Sequence, residues 1–123
     1  MRLVTVTAFV AALTVSTAAD AASFTCGVTM CRLVGIQKCG SLALALEWAR
    51  KFPKVGQPAP GLVVVQKRRG RALGGGPGGH VSLIVSVEAD QRFAVVRDNR
   101  GTYRRNIQKN RVALVAPSRA WTE

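Results

Sequence analysis

Among its 123 residues the chain has a single histidine, three cysteines and only six acidic side chains. Each shortage excludes something. Three cysteines without a CxxC pair, and one distant histidine, do not provide zinc-ligand spacing, so no metal is expected. No run of ~20 apolar residues follows the N-terminal region, so no transmembrane helix is expected there. There is no internal repeat, and no linker long enough to separate two domains. With 18 Lys and Arg against 6 acidic residues, the formal net charge is +12, which favours anionic partners.

The N-terminus reads as a secretory signal. Arg2 supplies the positive start, Leu3 to Ser16 is mostly apolar, and Ala19-Asp20-Ala21 is a small-x-small cleavage site. Residues 1–21 are therefore assigned to a signal peptide and 22–123 to one domain, long enough for a single core. The chain is expected to be exported to the periplasm or beyond. Removing Arg2 and Asp20 leaves 17 basic and 5 acidic residues, so the domain itself is strongly basic. Its charge gathers in Lys67-Arg68-Arg69-Gly70-Arg71, in Arg97 to Arg105 and in Lys109 to Arg111. A solvated basic face accounts for such clusters; so does binding to an anionic cell-wall or envelope polymer. Nucleic acid is not an expected partner for an exported protein.

An odd cysteine count in an exported chain suggests one bridge and one thiol. Three pairings can be drawn among Cys26, Cys31 and Cys39. Cys31–Cys39 is expected, because Cys31 lies late in a helix and a short loop can bring Cys39 back to it.

Thr25 is placed to cap a helix beginning near Cys26, with Gly35 at its left-handed end. Ser41 is placed to cap a second helix, "LALALEWARKF", whose Leu42, Ala45, Leu46 and Ala49 form a stripe ended by Pro53. Beyond the "KVGQPAPG" loop the pattern becomes that of strands. "GLVVVQ", "HVSLIVSVE" and "FAVVRDN" are expected strands, with "GTYRRNI" and "RVALVAP" adding two. The fold class is α+β: N-terminal helices packed on an antiparallel sheet of about four to five strands.

Five of the six residues from Gly74 to Gly79 are glycine, and His80 follows. Gly74, Gly76 and Gly79 satisfy GxGxxG, but they open a strand, where a dinucleotide fingerprint must open a helix. A P-loop would need Lys-Ser or Lys-Thr after the last glycine. No nucleotide cofactor is expected. The glycines read either as a surface loop or as backbone that passes close to a substrate, with Gly78 and Gly79 lining its groove.

A cysteine at a helix N-terminus is favoured as thiolate. A histidine can take its proton and pass it to a leaving amine, if a third group aims the ring. Cys26 and His80 are the candidates for the first two roles. Antiparallel partners share a face, so the third role depends on register. Any odd sum of paired residue numbers in the "HVSLIVSVE"/"FAVVRDN" hairpin places Asn99 on the histidine's face, and an even sum places Asp98 there. Asn99 is preferred, because the odd register sets Ala94 and Val96 against Val81, Leu83, Val85 and Val87; Asp98 is the alternative.

A cysteine on the first helix, "GGHVS" opening a strand and "RDN" ending the next resemble the papain-like cell-wall hydrolases of the NlpC and CHAP groups. "TCGVTMCRLVG" with "LEWAR" is similar to small exported members with a Trp-Cys-Gly-type helix before a second helix bearing Trp-Ala-Arg. The resemblance spans Phe24 to about Pro117. It implies a papain-like domain without cofactor, with Cys26 as nucleophile, His80 as base and Asn99 or Asp98 as orienting residue. The implied substrates are amide bonds of peptidoglycan stems or similar peptides, and the Cys26 N–H would serve an oxyanion hole. Thr25 departs from the Trp or Asp common there, and Cys31 and Cys39 are extra. The other outcomes are an inactive basic binding protein of the same fold and a small disulfide-stapled structural protein. The state of Cys26 separates them.

Overall fold

The computed structural model describes residues 22–71 and 77–123. The expected signal segment, 1–21, and residues 72–76 of the glycine run lie outside the described residues. The domain is α+β, with few helices and one five-stranded antiparallel sheet. Helix α1 is Ala22–Val34 and the single-turn α2 is Trp48–Lys51. The strands are β1 Val63–Arg71, β2 Pro77–Val87, β3 Phe93–Asp98, β4 Gly101–Asn106 and β5 Arg111–Val115. Their spatial order is β4-β3-β2-β1-β5.

Helix α1 ends as expected. Gly35 is left-handed at φ 85°, its N–H donates to Arg32 O, and the Ile36 N–H reaches back to Cys31 O at 2.8 Å. This paired closure satisfies carbonyls that would otherwise be orphaned, and it turns the chain sharply. The turn brings Cys39 back to Cys31, and the two form a disulfide with Cα atoms 5.8 Å apart.

The start of α1 differs from expectation. It begins at Ala22, so Cys26 lies one turn inside the helix, away from the terminal N–H groups.

The expected second helix is also broken. Gly40–Ala43 and Ala45–Glu47 are short 3₁₀ turns, separated by Leu44 in an extended conformation, before α2. Three contacts explain the break. Glu123 accepts hydrogen bonds from the Ser41 N–H and hydroxyl, so Ser41 is itself capped by the chain's end. The Trp48 indole N–H donates to Leu42 O at 2.7 Å, which takes that carbonyl out of a helical ladder. Gly27 presses against the carbonyls of Leu42 and Ala43, and a Cβ there would overlap both oxygens. Of the apolar stripe, Leu42, Ala45 and Ala49 are buried, together with Trp48, while Leu46 is half-buried against the same core.

The sheet carries apolar residues on both faces. One face packs under the helices, with Val63, Val65, Val81, Ala113 and Val115 against Cys26, Met30, Leu42, Trp48 and Phe52. The other holds Val64, Ile84, Ala94, Val96, Ile107 and Leu114. This second face is closed by the chain's own return. The Gln66 amide N–H₂ of β1 donates to Asn106 O and Lys109 O, and the Ile107 N–H donates to Arg92 O. Strand β1 runs past the expected "GLVVVQ" segment and takes in the basic run Lys67-Arg68-Arg69-Gly70-Arg71. Lys67 and Arg68 pair with Gly79 and Gly78, and the register shifts beyond Arg68.

Gly27→Ala tests the helix contact. The backbone carbonyls opposite it cannot rotate away as a side chain could. A loss of about 1–3 kcal/mol is expected, read as a lower Tm by circular dichroism; an unchanged Tm would mean that α1 does not need this approach.

Candidate functional site

Strand β2 has two environments at its start. The Cys26 side sees its backbone. The Cys26 thiol lies 3.8 Å from Gly79 O, and the Val81 backbone also acts on it. The Lys67 N–H points to Asn110 O, toward β5, so by strand alternation Gln66 and His80 turn their backbone groups toward each other. Gly79 and Val81 then turn theirs the other way, toward β3. Pairing of β2 with β3 begins only at Leu83↔Arg97. Cys26 therefore covers the open edge of β2 just past the end of β3.

His80 points to the sheet face away from α1. It shares that face with Ser82 and Ile84, while Val81 belongs to the helix-side core. Its ring is 1% exposed. The Nε2 atom is 2.7 Å from Asp98 Oδ2 and Nδ1 is 2.7 Å from Arg68 Nη2. A guanidinium can only donate and an ionised carboxylate can only accept, so the ring is neutral with its proton on Nε2. Both nitrogens are thus engaged.

Asp98 collects further donors. The Ser82 hydroxyl at 3.0 Å and the Tyr103 hydroxyl at 2.7 Å share Oδ2, and the Arg100 N–H donates to Oδ1 at 2.8 Å. Arg105 continues the chain, donating to the Tyr103 oxygen at 3.0 Å and to Gln66 Oε1 at 2.7 Å. Among the described residues no buried side-chain polar atom is left without a partner.

Asp98, rather than the preferred Asn99, is the partner of His80, and Asn99 is exposed in the β3–β4 turn. The reason is a bulge. At the hairpin end Val87 pairs with Ala94 and Ser86 with Val95, which is the odd register expected. Between Ile84 and Ser86 the register shifts, and Ile84 pairs with Val96 and Leu83 with Arg97. One extra residue on β2 reverses which side chains share a face. Val85, the residue passed over, is 46% exposed.

The site departs from the expected thiolate arrangement. Burial pushes the Cys26 thiol up, against smaller opposing effects from the Val81 backbone and Arg68. Burial pushes His80 down; the Asp98 bond opposes this, while Arg105 and Arg68 add to it. Burial would raise Asp98, but the bonds from His80, Tyr103 and the Arg100 N–H hold it well below the ordinary carboxylate range. Gly79 has a use other than an open groove: its missing side chain is replaced by Leu46 and Ala45, and a Cβ would come within 2.6 Å of Leu46 Cδ2. Gly78 is buried opposite Arg68.

The residue pattern did not reveal a cleft of about 770 Å³ lined by Lys67, Arg68, Arg69, Arg100, Arg105 and Lys109, with Gln66, Asn106 and Asn110. Among the described residues, none that lines it is acidic. The three basic clusters of the sequence supply it jointly, and only the β1–β4 approach brings them together. Arg68 belongs both to this cleft and to the His80 contact. No group of residues suited to hold a metal ion is found among the described residues, and no helix there is long and apolar enough to cross a membrane.

No family model, curated protein or solved structure matches the chain.

Two measurements follow from the site's electrostatics. His80 and Asp98 both have proton affinities depressed in the fold, so each adds stability above its unfolded pKa and loses it as pH falls. The loss is expected to begin below about 6.5 for His80 and below about 3.9 for Asp98. Urea midpoints should therefore drop between about pH 8 and about pH 5, with a flatter slope in His80→Gln; a flat wild-type profile would contradict a histidine buried neutral. Iodoacetamide should alkylate Cys26 at least ~10-fold more slowly in the folded chain than in urea at neutral pH, read by intact-mass spectrometry. Faster reaction in the folded chain would show an activated thiol after all.

Proposed function

We propose that this chain is an exported, non-catalytic binding protein of papain-like type that holds an anionic cell-envelope polymer, peptidoglycan or a similar polyanion, in its cationic cleft. The cleft carries this reading: six basic side chains and no acid surround one concavity. Low-dielectric walls lined by one sign of charge focus the field and concentrate counter-ions. The Cys31–Cys39 disulfide is compatible with an oxidising compartment. The buried, neutral Cys26 argues against a resting nucleophile.

Co-sedimentation with purified peptidoglycan sacculi tests it. The domain is expected to pellet at low salt and to be released as salt rises. The triple variant Lys67→Gln, Arg69→Gln, Lys109→Gln should remain in the supernatant with an unchanged circular dichroism spectrum. Equal pelleting of the triple variant would remove the cleft from the function.

A cysteine amidase or endopeptidase is the second reading. The Cys26 sulfur lies beside the backbone of the residue preceding His80, and His80 has a carboxylate to aim it. The sulfur would add to an amide carbon, the amine would depart with the proton carried by the imidazole, and water would hydrolyse the thioester. That course needs an accessible sulfur, an Nδ1 released from Arg68 and an imidazole turned toward the sulfur's side of β2, since the two side chains stand on different sides of the strand. New amine ends on peptidoglycan fragments, lost in Cys26→Ser, would establish it; under the binding reading none form.

A further inference from the structure

Arg68 is shared by two structures. It is one of the cations of the cleft, and it is the donor on the only nitrogen of His80 that Asp98 does not hold. A guanidinium is drawn strongly to an oxyanion, because charge-assisted and bidentate bonds are stronger than one bond to a neutral nitrogen. Its contact with His80 is neutral on the acceptor side. An oxyanion placed in the cleft offers it a better partner.

We propose that an oxyanion, carboxylate or phosphate, entering the cationic cleft draws the Arg68 guanidinium away from His80 Nδ1 and so uncovers the imidazole lone pair. This inference rests on the anionic-ligand reading above and adds to it a defined response inside the protein. Arg68 is then a positioning residue that makes the state of the imidazole depend on cleft occupancy. Asp98 keeps the proton on Nε2 in both states, so only the Nδ1 side changes. Arg68 is the last β1 residue in continuous register with β2; the ladder is interrupted after it and resumes at Arg71 with Pro77, so its side chain stands at a break in the pairing.

The charged and titratable groups around the ring are Asp98 from β3, Tyr103 and Arg105 from β4 and Arg68 from β1, with Cys26 of α1 on the other side of the strand. Of these, Arg68 alone both touches the ring and lines the cleft. Withdrawal of its charge should also raise the proton affinity of His80, which Arg68 now lowers.

The single histidine makes the test unambiguous, since every imidazole signal belongs to His80. The domain, uniformly labelled with ¹⁵N, is titrated with sodium phosphate, with sodium acetate and with sodium chloride at matched ionic strength. Phosphate or acetate is expected to move the Nδ1 resonance toward that of an acceptor without a donor, while Nε2 stays protonated, and chloride is expected to leave it in place. A response to phosphate alone or acetate alone identifies the oxyanion preferred. In Arg68→Ala the Nδ1 resonance should start at the shifted position and respond to neither anion.

The outcomes separate the two claims. Arginine and lysine side-chain shifts with a silent ring would overturn the coupling and leave anion binding standing. No shift anywhere with either oxyanion would overturn both. An equal response to chloride would reduce the effect to screening and overturn the coupling. An unshifted ring in a folded Arg68→Ala would show that Arg68 does not set the state of Nδ1.

Discussion

Four donors converge on the Asp98 carboxylate: the His80 imidazole, the Ser82 and Tyr103 hydroxyls and the Arg100 N–H. A carboxylate taken out of water costs several kcal/mol unless such partners replace the lost hydration. The donors come from β2, from β4 and from the turn between β3 and β4. The buried charge can therefore be satisfied only when these elements stand in one particular register. Hydrophobic burial alone would tolerate slippage of a valine-rich hairpin, but a slip by one residue would carry Asp98 to the other face and take away the acceptor of His80 Nε2 and of the Ser82 hydroxyl.

That dependence explains why the hairpin was legible at one end and not at the other. The odd register was readable near Glu88 and Phe93, and the backbone bond between these residues follows it. The bulge at Val85 was not readable, because "SLIVSVE" has no glycine there, and its apolar run Leu83-Ile84-Val85 fits a regular strand buried on both faces as well as it fits an extra residue. Its signal lies in the partner strand. Asp98 is the one residue of "FAVVRD" that must be both buried and bonded, and requiring it to face His80 would have demanded an even register there. Considering apolar pairing alone favoured Asn99; adding the cost of an unpaired carboxylate favours Asp98.

The helical half shows a similar division. Burial of Leu42, Ala45, Trp48 and Ala49 follows from their spacing, because both an α-helix and a chain of 3₁₀ turns present roughly every third or fourth residue to one side. The break at Leu44 depends on Gly27 and Glu123, residues distant in sequence. Helix α1 starts earlier than the cap signal predicts, for a different reason. Thr25 is a good cap, but Ala22 and Ser23 can also be helical, so the cap signal did not fix the boundary. One turn decides whether Cys26 meets the positive end of the helix or lies within it, and with that the thiol changes from activated to buried and neutral.

The cationic cleft and the His80–Asp98 pair are therefore not independent features. Like charges gathered around one concavity repel one another, and the fold retains them with no acidic residue among the lining groups. Asp98 offsets part of this repulsion from beneath, through His80 and through Tyr103 to Arg105. A buried anion with cations above it is an incomplete neutralisation, with the unmet charge on the solvent side of the network. An oxyanion bound there would complete the balance from above, and the guanidinium nearest the boundary, that of Arg68, is the group whose position such binding must change first.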